Sequence, residues 1–132
     1  MATDLRVIMP QRPGAMVALC EALAAAGVNL EGAAGDVRRG ERWAAVHVLV
    51  EDAGRARRAI EDAGFQVDSE REVEVLELEN RPGALLEVLR PYTEAGRNVD
   101  VLYMAADNRF VIGLEDAREA LRGVKVTDAR YP

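Results

Sequence analysis

A four-residue motif that could hold a carboxylate occurs twice in this chain. Arg-Pro-Gly-Ala spans residues 12–15 and recurs at residues 81–84. An asparagine follows each copy at the same distance, at Asn29 and Asn98, so both features repeat at an interval of 69 residues. Equal internal spacing is typical of a duplicated structural unit. The sequence therefore predicts two copies of one small domain, each with its own loop.

The motif has the composition of a turn between a strand and a helix. A proline suits the first helical turn, where its missing N–H costs nothing, and Gly14 and Gly83 allow another group close to the backbone. The first N–H groups of a helix have no internal partner, and the helix dipole favours a negative group there. A plain turn would explain one copy, but the second copy and the repeated asparagine favour a binding loop.

Residues that could carry out catalysis are scarce. The chain has one cysteine, one histidine and one serine, which cannot easily supply a nucleophile with its base and orienting group. No cysteine and histidine cluster has the spacing of metal ligands, and no glycine-rich loop has the spacing of a phosphate cradle. We therefore expect a protein that is not an enzyme and that uses neither a cofactor nor a metal.

Charge and composition narrow the classes of partner. The net charge of −6 disfavours nucleic acid and anionic membrane surfaces, which both attract a basic protein surface. The N-terminal residues lack the basic and apolar regions of a signal peptide, and no apolar stretch reaches the ~20 residues of a membrane-spanning helix. The sequence therefore predicts a cytoplasmic protein with no membrane and no nucleic-acid partner.

The elements that would position the two loops follow from hydrophobic periodicity. In the first copy we predict helices at 14–26 and after Asp52, and strands at 5–9, 28–37, 42–50 and 65–68. In the second copy we predict helices from Gly83 and at 117–121, and strands at about 73–78, 98–106, 110–114 and 124–129. The short charged stretch 69–71 marks the boundary between a first domain, 1–70, and a second domain, 71–132.

The two motifs and their spacing resemble the signature of ACT domains. The resemblance joins residues 11–16 to residues 26–30 and, in the second copy, residues 80–85 to residues 95–99, and it covers nearly the whole chain. ACT domains are small βαββαβ modules that bind amino acids and other small metabolites. The resemblance implies an α+β protein of two ferredoxin-like units, each with an antiparallel sheet and its helices on one face.

The resemblance also implies where a free amino acid would bind. Backbone N–H groups of the loop would take the α-carboxylate, and the amide oxygen of Asn29 or Asn98 would accept from the α-ammonium. The first copy departs from the second at one loop position, where Gln11 stands in place of Asn80. We therefore expect Gly83→Val to abolish binding and Gly14→Val to matter less. The residues implied in this way are Gln11, Arg12, Pro13, Gly14, Ala15, Asn29 and Leu30, and Asn80, Arg81, Pro82, Gly83, Ala84, Asn98 and Val99.

Assembly is a further expectation. An open sheet face that carries Trp43 and Leu49 is too apolar to face water, and edge strands invite pairing, so we expect a homodimer. The leading hypothesis is a regulatory sensor that binds a free amino acid of unknown identity and acts on an enzyme or a regulator. The alternative is a structural or interaction module that binds no ligand and dimerises through its sheets.

Individual side chains in the first copy carry their own expectations. Cys20 shares a helical face with Leu19 and Leu23, so we predict that it lies in the core. His47, the only histidine, is predicted to have a structural or ligand-lining role. The glycine and alanine residues 32–35 either leave room for a ligand or form a poorly packed edge strand, and the sequence leaves both interpretations open.

Three details are expected of the second copy. Leu86 is predicted to be buried with its helical neighbours. Pro91 should kink the third helix or end it early, because a proline removes a helical hydrogen bond. The hydrophobic phase of the fifth strand slips between Val75 and Leu76, which predicts a bulge there.

Overall fold

A computed structural model describes residues 2–37 and 40–115 of the chain. The helix predicted at 117–121 and the strand predicted at 124–129 lie outside the described residues. The first unit contains β1 (Thr3–Pro10), α1 (Ala15–Ala25), β2 (Gly32–Asp36), β3 (Trp43–Val50), α2 (Ala53–Asp62) and β4 (Gln66–Glu72). The described part of the second unit contains β5 (Glu74–Glu77), α3 (Ala84–Glu94), β6 (Asn98–Ala105) and β7 (Arg109–Glu115).

The described strands form one antiparallel sheet in the order β4-β1-β3-β2-β6-β7-β5. The first four strands have the order of a ferredoxin-like unit, and β6-β7-β5 repeats the order of the corresponding strands β2, β3 and β1. The elements follow the order βαββαβ in the first unit and βαββ in the described part of the second. The predicted α+β fold of ferredoxin-like units with antiparallel sheets is confirmed.

The two units meet where β2 pairs with β6. Gly32 lies opposite Ala105, and the N–H of Ala106 donates to the carbonyl of Glu31 at 3.0 Å. A Cβ atom at residue 32 would lie only 2.9 Å from the Cβ of Ala105, so this close approach of two strands depends on glycine. Beyond Gly32, no described strand pairs with this edge of β2.

The sheet curls so that its two ends approach each other. β4 and β5 stand at opposite ends of the strand order, yet only Val73 separates them in sequence. One residue spans at most about 3.6 Å, so these two strand ends must lie close together. The stretch 69–71, predicted as a boundary, belongs to β4 and pairs with β1. The division of the chain at residue 70 stays a prediction.

The helices of the first unit cover one face of its strands. Alternate residues of β1 and β3 point toward α1 and α2, as the two-residue period of a strand requires. The resulting core contains Leu5, Val7 and Met9 of β1, Ala44, Val46, Val48 and Val50 of β3, Leu19 and Leu23 of α1, and Ala56 and Ile60 of α2. The β3 residues are those that the alternating pattern predicted.

The prediction that Cys20 lies in the core is wrong, because its side chain is exposed. α1 has only one charged residue, Glu21, so its hydrophobic pattern does not define which face is buried. Packing selects the stripe through Ala15, Leu19 and Leu23, and Cys20 falls outside it.

Other expectations for the second unit are also wrong. Leu86 is 55% exposed. The helix α3 does not end early at Pro91, whose carbonyl accepts from the N–H of Ala95 at 3.0 Å, and a kink at this proline stays a prediction. β5 pairs with β7 without a register shift, so the phase slip is not a bulge. Val75 and Leu76 instead face opposite sides of the sheet, and both are partly buried.

The face opposite the helices buries a polar cluster between the two units. Asp4 is 0% exposed. Its carboxylate accepts a hydrogen bond from Nδ1 of His47 at 2.9 Å and another from the hydroxyl of Tyr103 at 2.6 Å. Apolar side chains from both units surround these groups, namely Leu49, Val73, Val101 and Val111. His47 therefore has a structural role, one of the two that the sequence predicted.

This cluster covers part of the sheet face that was expected to drive dimerisation. Leu49 is fully buried within the chain, at 0% exposure, while Trp43 remains 60% exposed. The apolar surface left on that face is smaller than the sequence suggested, because the chain curls over its own sheet.

We predict that Tyr103→Phe lowers the free energy of unfolding by about 1.5–3 kcal/mol at neutral pH, the usual worth of a hydrogen bond to a charged group. Urea denaturation measures this change. Tyr92→Phe is the matched control, because its hydroxyl donates to the exposed carboxylate of Glu74 and should matter less. Equal losses of unfolding free energy in the two variants would show that the buried hydrogen bond to Asp4 contributes no more than the exposed one to Glu74.

Alkaline pH should weaken the same contact. Burial, followed by the hydrogen bond to Asp4, raises the pKa of Tyr103 far above its usual value. The folded state therefore favours the neutral phenol. Its contribution is complete below about pH 10, the ordinary pKa of tyrosine, and is lost as the pH rises above that value. Between pH 10 and 11, wild type should lose stability more steeply than Tyr103→Phe, by up to about 1.4 kcal/mol per pH unit. Parallel curves in urea denaturation would contradict this.

Candidate functional site

The two Arg-Pro-Gly-Ala loops have the same backbone. Gly14 and Gly83 directly precede α1 and α3 with φ angles of 89° and 84°, a left-handed region that favours glycine. In each loop the N–H of the alanine donates to the carbonyl of the arginine, at 3.3 Å in both copies. The motif therefore folds alike twice, and differences between the loops arise from side chains.

The guanidinium of Arg81 is occupied within the second unit. Its Nε donates to Oε2 of Glu79 at 2.9 Å, and its Nη2 donates to Oε2 of Glu87 at 2.8 Å. The hydrogen bonds from Arg81, together with its charge, lower the pKa of Glu87. These contacts leave little of the Arg81 guanidinium for a ligand.

Arg12 differs from Arg81 because the first unit lacks the two carboxylates. The positions 69 residues before Glu79 and Glu87 hold Pro10 and Ala18. Among the side chains that the structure describes, none forms a hydrogen bond or an ion pair with Arg12. The first loop thus presents a free cation where the second presents a neutralised one.

A groove of about 650 Å³ opens beside the first loop, and we call it groove 1. It is lined by Met9, Pro10, Gln11, Arg12, Gly14, Ala15, Met16, Val17, Ala33, Ala34, Gly35, Val37, Ala44 and Val46. The cavity beside the second loop has a volume of only about 180 Å³. It is lined by Leu78, Glu79, Asn80, Arg81, Ala84, Leu85, Met104, Asn108 and Phe110.

Side-chain size explains the difference between the two cavities. Gly35 in β2 corresponds to Met104 in β6 at the 69-residue interval. Val46 in β3 corresponds to Phe110 in β7 at an interval of 64 residues, because the second hairpin is shorter. Met104 and Phe110 both line the small cavity. The second unit therefore fills with its own side chains the space that the first unit leaves open.

Groove 1 has hydrogen-bond donors at one end and an apolar wall elsewhere. Residues 14–17 line it at the start of α1, where helical N–H groups lack internal acceptors. Arg12 adds a positive charge and a planar set of hydrogen-bond donors. No aspartate or glutamate is among the lining residues. This arrangement suits a ligand that combines a carboxylate with an apolar body.

The asparagine predicted to complete the first half-site lies elsewhere. Asn29 follows α1, whereas the loop precedes it, and the 11 residues of α1 span about 16 Å. Asn29 lines a separate cavity of about 210 Å³ together with Gly27, Val28, Glu31, Glu51, Asp52 and Arg55. Within one chain, the structure does not bring Asn29 to the first loop.

Of the other site residues implied by the resemblance, some lie exposed in the loops and the rest pack or pair within the two units. Pro13 and Pro82 are exposed in the loops, and Leu30 packs against the core of the first unit. Asn98 donates from Nδ2 to Oε2 of Glu115 at 3.1 Å, so its amide already has a partner. The remaining residue of this set, Val99, is partly buried and lies opposite Leu114 in the β6–β7 ladder.

The sequence analysis missed most of the wall of groove 1. Met9, Ala44 and Val46 were identified only as strand residues, although they line the groove. The signal for this wall was the small-residue stretch 32–35, whose two interpretations prove compatible. β2 pairs with β6 at a single position, and residues 33–35 also line groove 1.

Metal and membrane sites are not seen in the described ranges, 2–37 and 40–115. These residues contain no group of three or more histidine, cysteine, aspartate or glutamate side chains placed to hold a metal ion. None of the three described helices has the length and apolar character that crossing a bilayer requires.

Comparisons with known proteins show the fold. No protein-family profile and no curated protein matches the sequence. Among solved structures, protein BT0572 from Bacteroides thetaiotaomicron matches with a TM-score of 0.75 and 23% identity, over 91% of this chain and 83% of that one. The ligand-free regulatory subunit of aspartate kinase from Thermus thermophilus matches with a TM-score of 0.68 and 16% identity, over 91% and 86%.

The regulatory subunit of aspartate kinase from Thermus flavus is also similar, with a TM-score of 0.61 and 20% identity over 92% of this chain and 88% of that one. Likeness at these identities concerns the fold alone. The chain has the ACT-like fold of ferredoxin-like units that its two motifs predicted.

Proposed function

We propose that this chain is a regulatory protein, not an enzyme, and that it senses a free amino acid in groove 1. The observation that carries the proposal is the contrast between the two copies. Among the described residues, the side chain of Arg12 has no hydrogen-bond or ion-pair partner, and it lies at a groove of about 650 Å³. Arg81, by contrast, is held by two glutamates at a cavity of about 180 Å³. A duplicated loop that keeps its cation free and its pocket open in one copy is suited to ligand binding in that copy.

The α-carboxylate of the ligand would bind at the start of α1. The guanidinium of Arg12 can donate two parallel hydrogen bonds to a carboxylate, and the first N–H groups of the helix supply further donors. The open backbone of Gly14, with no atom within 4 Å of its hypothetical Cβ, leaves space for the ligand beside them.

The α-ammonium requires acceptors that groove 1 lacks. Its lining includes the amide of Gln11 but no carboxylate. The other end of α1 has the opposite character, because Asn29, Glu31, Glu51 and Asp52 surround one cavity there. In a homodimer with the two α1 helices antiparallel, the loop of one copy would meet the Asn29 end of the other. We therefore propose a homodimer with the ligand at the subunit interface, joining both halves of the site implied by the sequence.

Two exposed side chains support this mode of assembly. Met16 and Val17, at the rim of groove 1, are 41% and 60% exposed. A second copy packed over the groove would bury them and shield the ligand from water. The regulated partner would be an enzyme or a regulator, since two of the similar structures are regulatory subunits of aspartate kinase.

A second candidate function is a structural module that binds no ligand and dimerises through its sheet. The neutralised Arg81 and the filled second cavity favour it, because that loop acts only as a turn. The exposed Trp43 on the open sheet face would then form the contact. The experiments below separate the two candidates.

We predict that at least one of the common amino acids raises the melting temperature of wild type in a concentration-dependent way. Arg12→Ala should weaken its binding by about 10- to 150-fold, since a hydrogen bond to a charged group is worth about 1.5–3 kcal/mol. Arg81→Ala is the matched control and should bind as wild type does. Isothermal titration calorimetry measures all three proteins, and an absence of any thermal shift across the panel would favour the module without ligand.

Substitutions of the two loop glycines test whether the ligand binds at the first loop by blocking access to its backbone. Gly14→Val should abolish binding, and Gly83→Val should leave it nearly intact, which is the reverse of the sequence-based expectation. Both sites have nearly equal φ and equally open surroundings, so the cost of strain should be the same in the two variants. Calorimetry on both folded variants decides, and loss of binding in Gly83→Val alone would place the site at the second loop.

A further inference from the structure

We infer that groove 1 selects an amino acid with an uncharged, apolar side chain, aliphatic or thioether, and that the small residue Ala33 sets the upper limit on its size. This inference names the ligand class of the proposed site and therefore rests on the proposed function.

The charge of groove 1 disfavours a ligand with a charged side chain. Arg12 is the only ionisable side chain among the described residues that line the groove. A basic ligand side chain would meet this cation, and an acidic one would compete with the ligand's own α-carboxylate for it. A charged or strongly polar group placed against the remaining wall would lose its hydration without a hydrogen-bond partner, which is costly.

The apolar wall of groove 1 favours a ligand with an apolar side chain. Met9, Ala44 and Val46 are 2%, 7% and 5% exposed, so their contribution to the groove is an apolar floor fixed by the core. Residues of β2 complete it with methyl groups and backbone. A ligand side chain on this surface gains by burying apolar area, at about 25 cal/mol per Å².

The second unit shows what fits such a space. At the position equivalent to Gly35 it carries Met104, an unbranched thioether that lines its small cavity. At the position equivalent to Ala33 it carries Leu102. The second unit thus places its own thioether side chain in the duplicated space, and its aliphatic Leu102 stands at the neighbouring equivalent strand position, 43% exposed. In the first unit a ligand side chain of the same chemistry can take that place.

The test uses ligand pairs of similar shape and different polarity on the full wild-type chain. Calorimetry with methionine against glutamine, and with valine against threonine, should give at least fivefold tighter binding for the apolar member of at least one pair. Lysine and glutamate should bind more weakly than either apolar ligand. Equal or tighter binding of glutamine and threonine, or a preference for a charged amino acid, would overturn the inference and leave the proposed function standing. No binding by any amino acid would refute both.

A pair of variants tests the size limit. Ala33→Leu copies the residue of the second unit into the groove and should weaken methionine binding at least tenfold, while alanine binding changes less than threefold. Ala33 is exposed, so the variant should fold, and circular dichroism checks this. Leu102→Ala, the reciprocal change in the other unit, should leave both affinities unchanged. Methionine binding that is unaffected by Ala33→Leu, or equally reduced by Leu102→Ala, would refute the role of Ala33.

Discussion

The buried carboxylate of Asp4 is the constraint on which the arrangement of the two units depends. A fully buried charge is tolerated only when hydrogen bonds replace its lost hydration. Asp4 belongs to β1, and its two partners come from different units: His47 from β3 beside it and Tyr103 from β6. The hydroxyl of Tyr103 reaches Asp4 only because the sheet curls back on itself. The single-residue connection at Val73 imposes the same curl from the opposite ends of the sheet. The short connection at Val73 and the hydrogen bond between Tyr103 and Asp4 therefore both require the same arrangement of the two units.

The two copies show how loops with the same backbone can lie beside cavities of different size and charge. Their loops share φ angles and hydrogen bonds. In the second copy, glutamates hold the arginine and Met104 lines the small cavity; the corresponding residues of the first copy, Pro10, Ala18 and Gly35, are uncharged. The backbone of the two loops is nonetheless the same. The asymmetry also explains why a motif alone is a poor guide to which copy has the open groove: the motif residues are the part that did not change.

Much of the fold followed from the residues alone. The repeat interval predicted two copies of one small unit, and the resemblance of the two motifs to ACT domains implied that the units are ferredoxin-like. The errors have one common cause. α1 is apolar on nearly every side, so periodicity could not tell that Leu19 faces the core and Cys20 the solvent. In the same way, Val75 and Leu76 looked like a broken pattern because both sides of β5 are covered. Hydrophobic periodicity predicts the buried face of an element only where one face is buried and the opposite face is exposed to solvent.

The sequence by itself determined that there are two loops, that each precedes a helix and contains a glycine, and that each carries an arginine. These are properties of neighbouring residues, and short-range sterics suffice to specify them. Only the tertiary structure decided which arginine is free, how large each groove is, and that Asn29 lies at the far end of α1 from its loop. The size of each groove depends on side chains that meet across the sheet, such as Val46 opposite Gly35, and no local pattern encodes that register. The state of Arg81 depends on Glu79 and Glu87, which are only two and six residues away, but the sequence does not show that these side chains turn toward it.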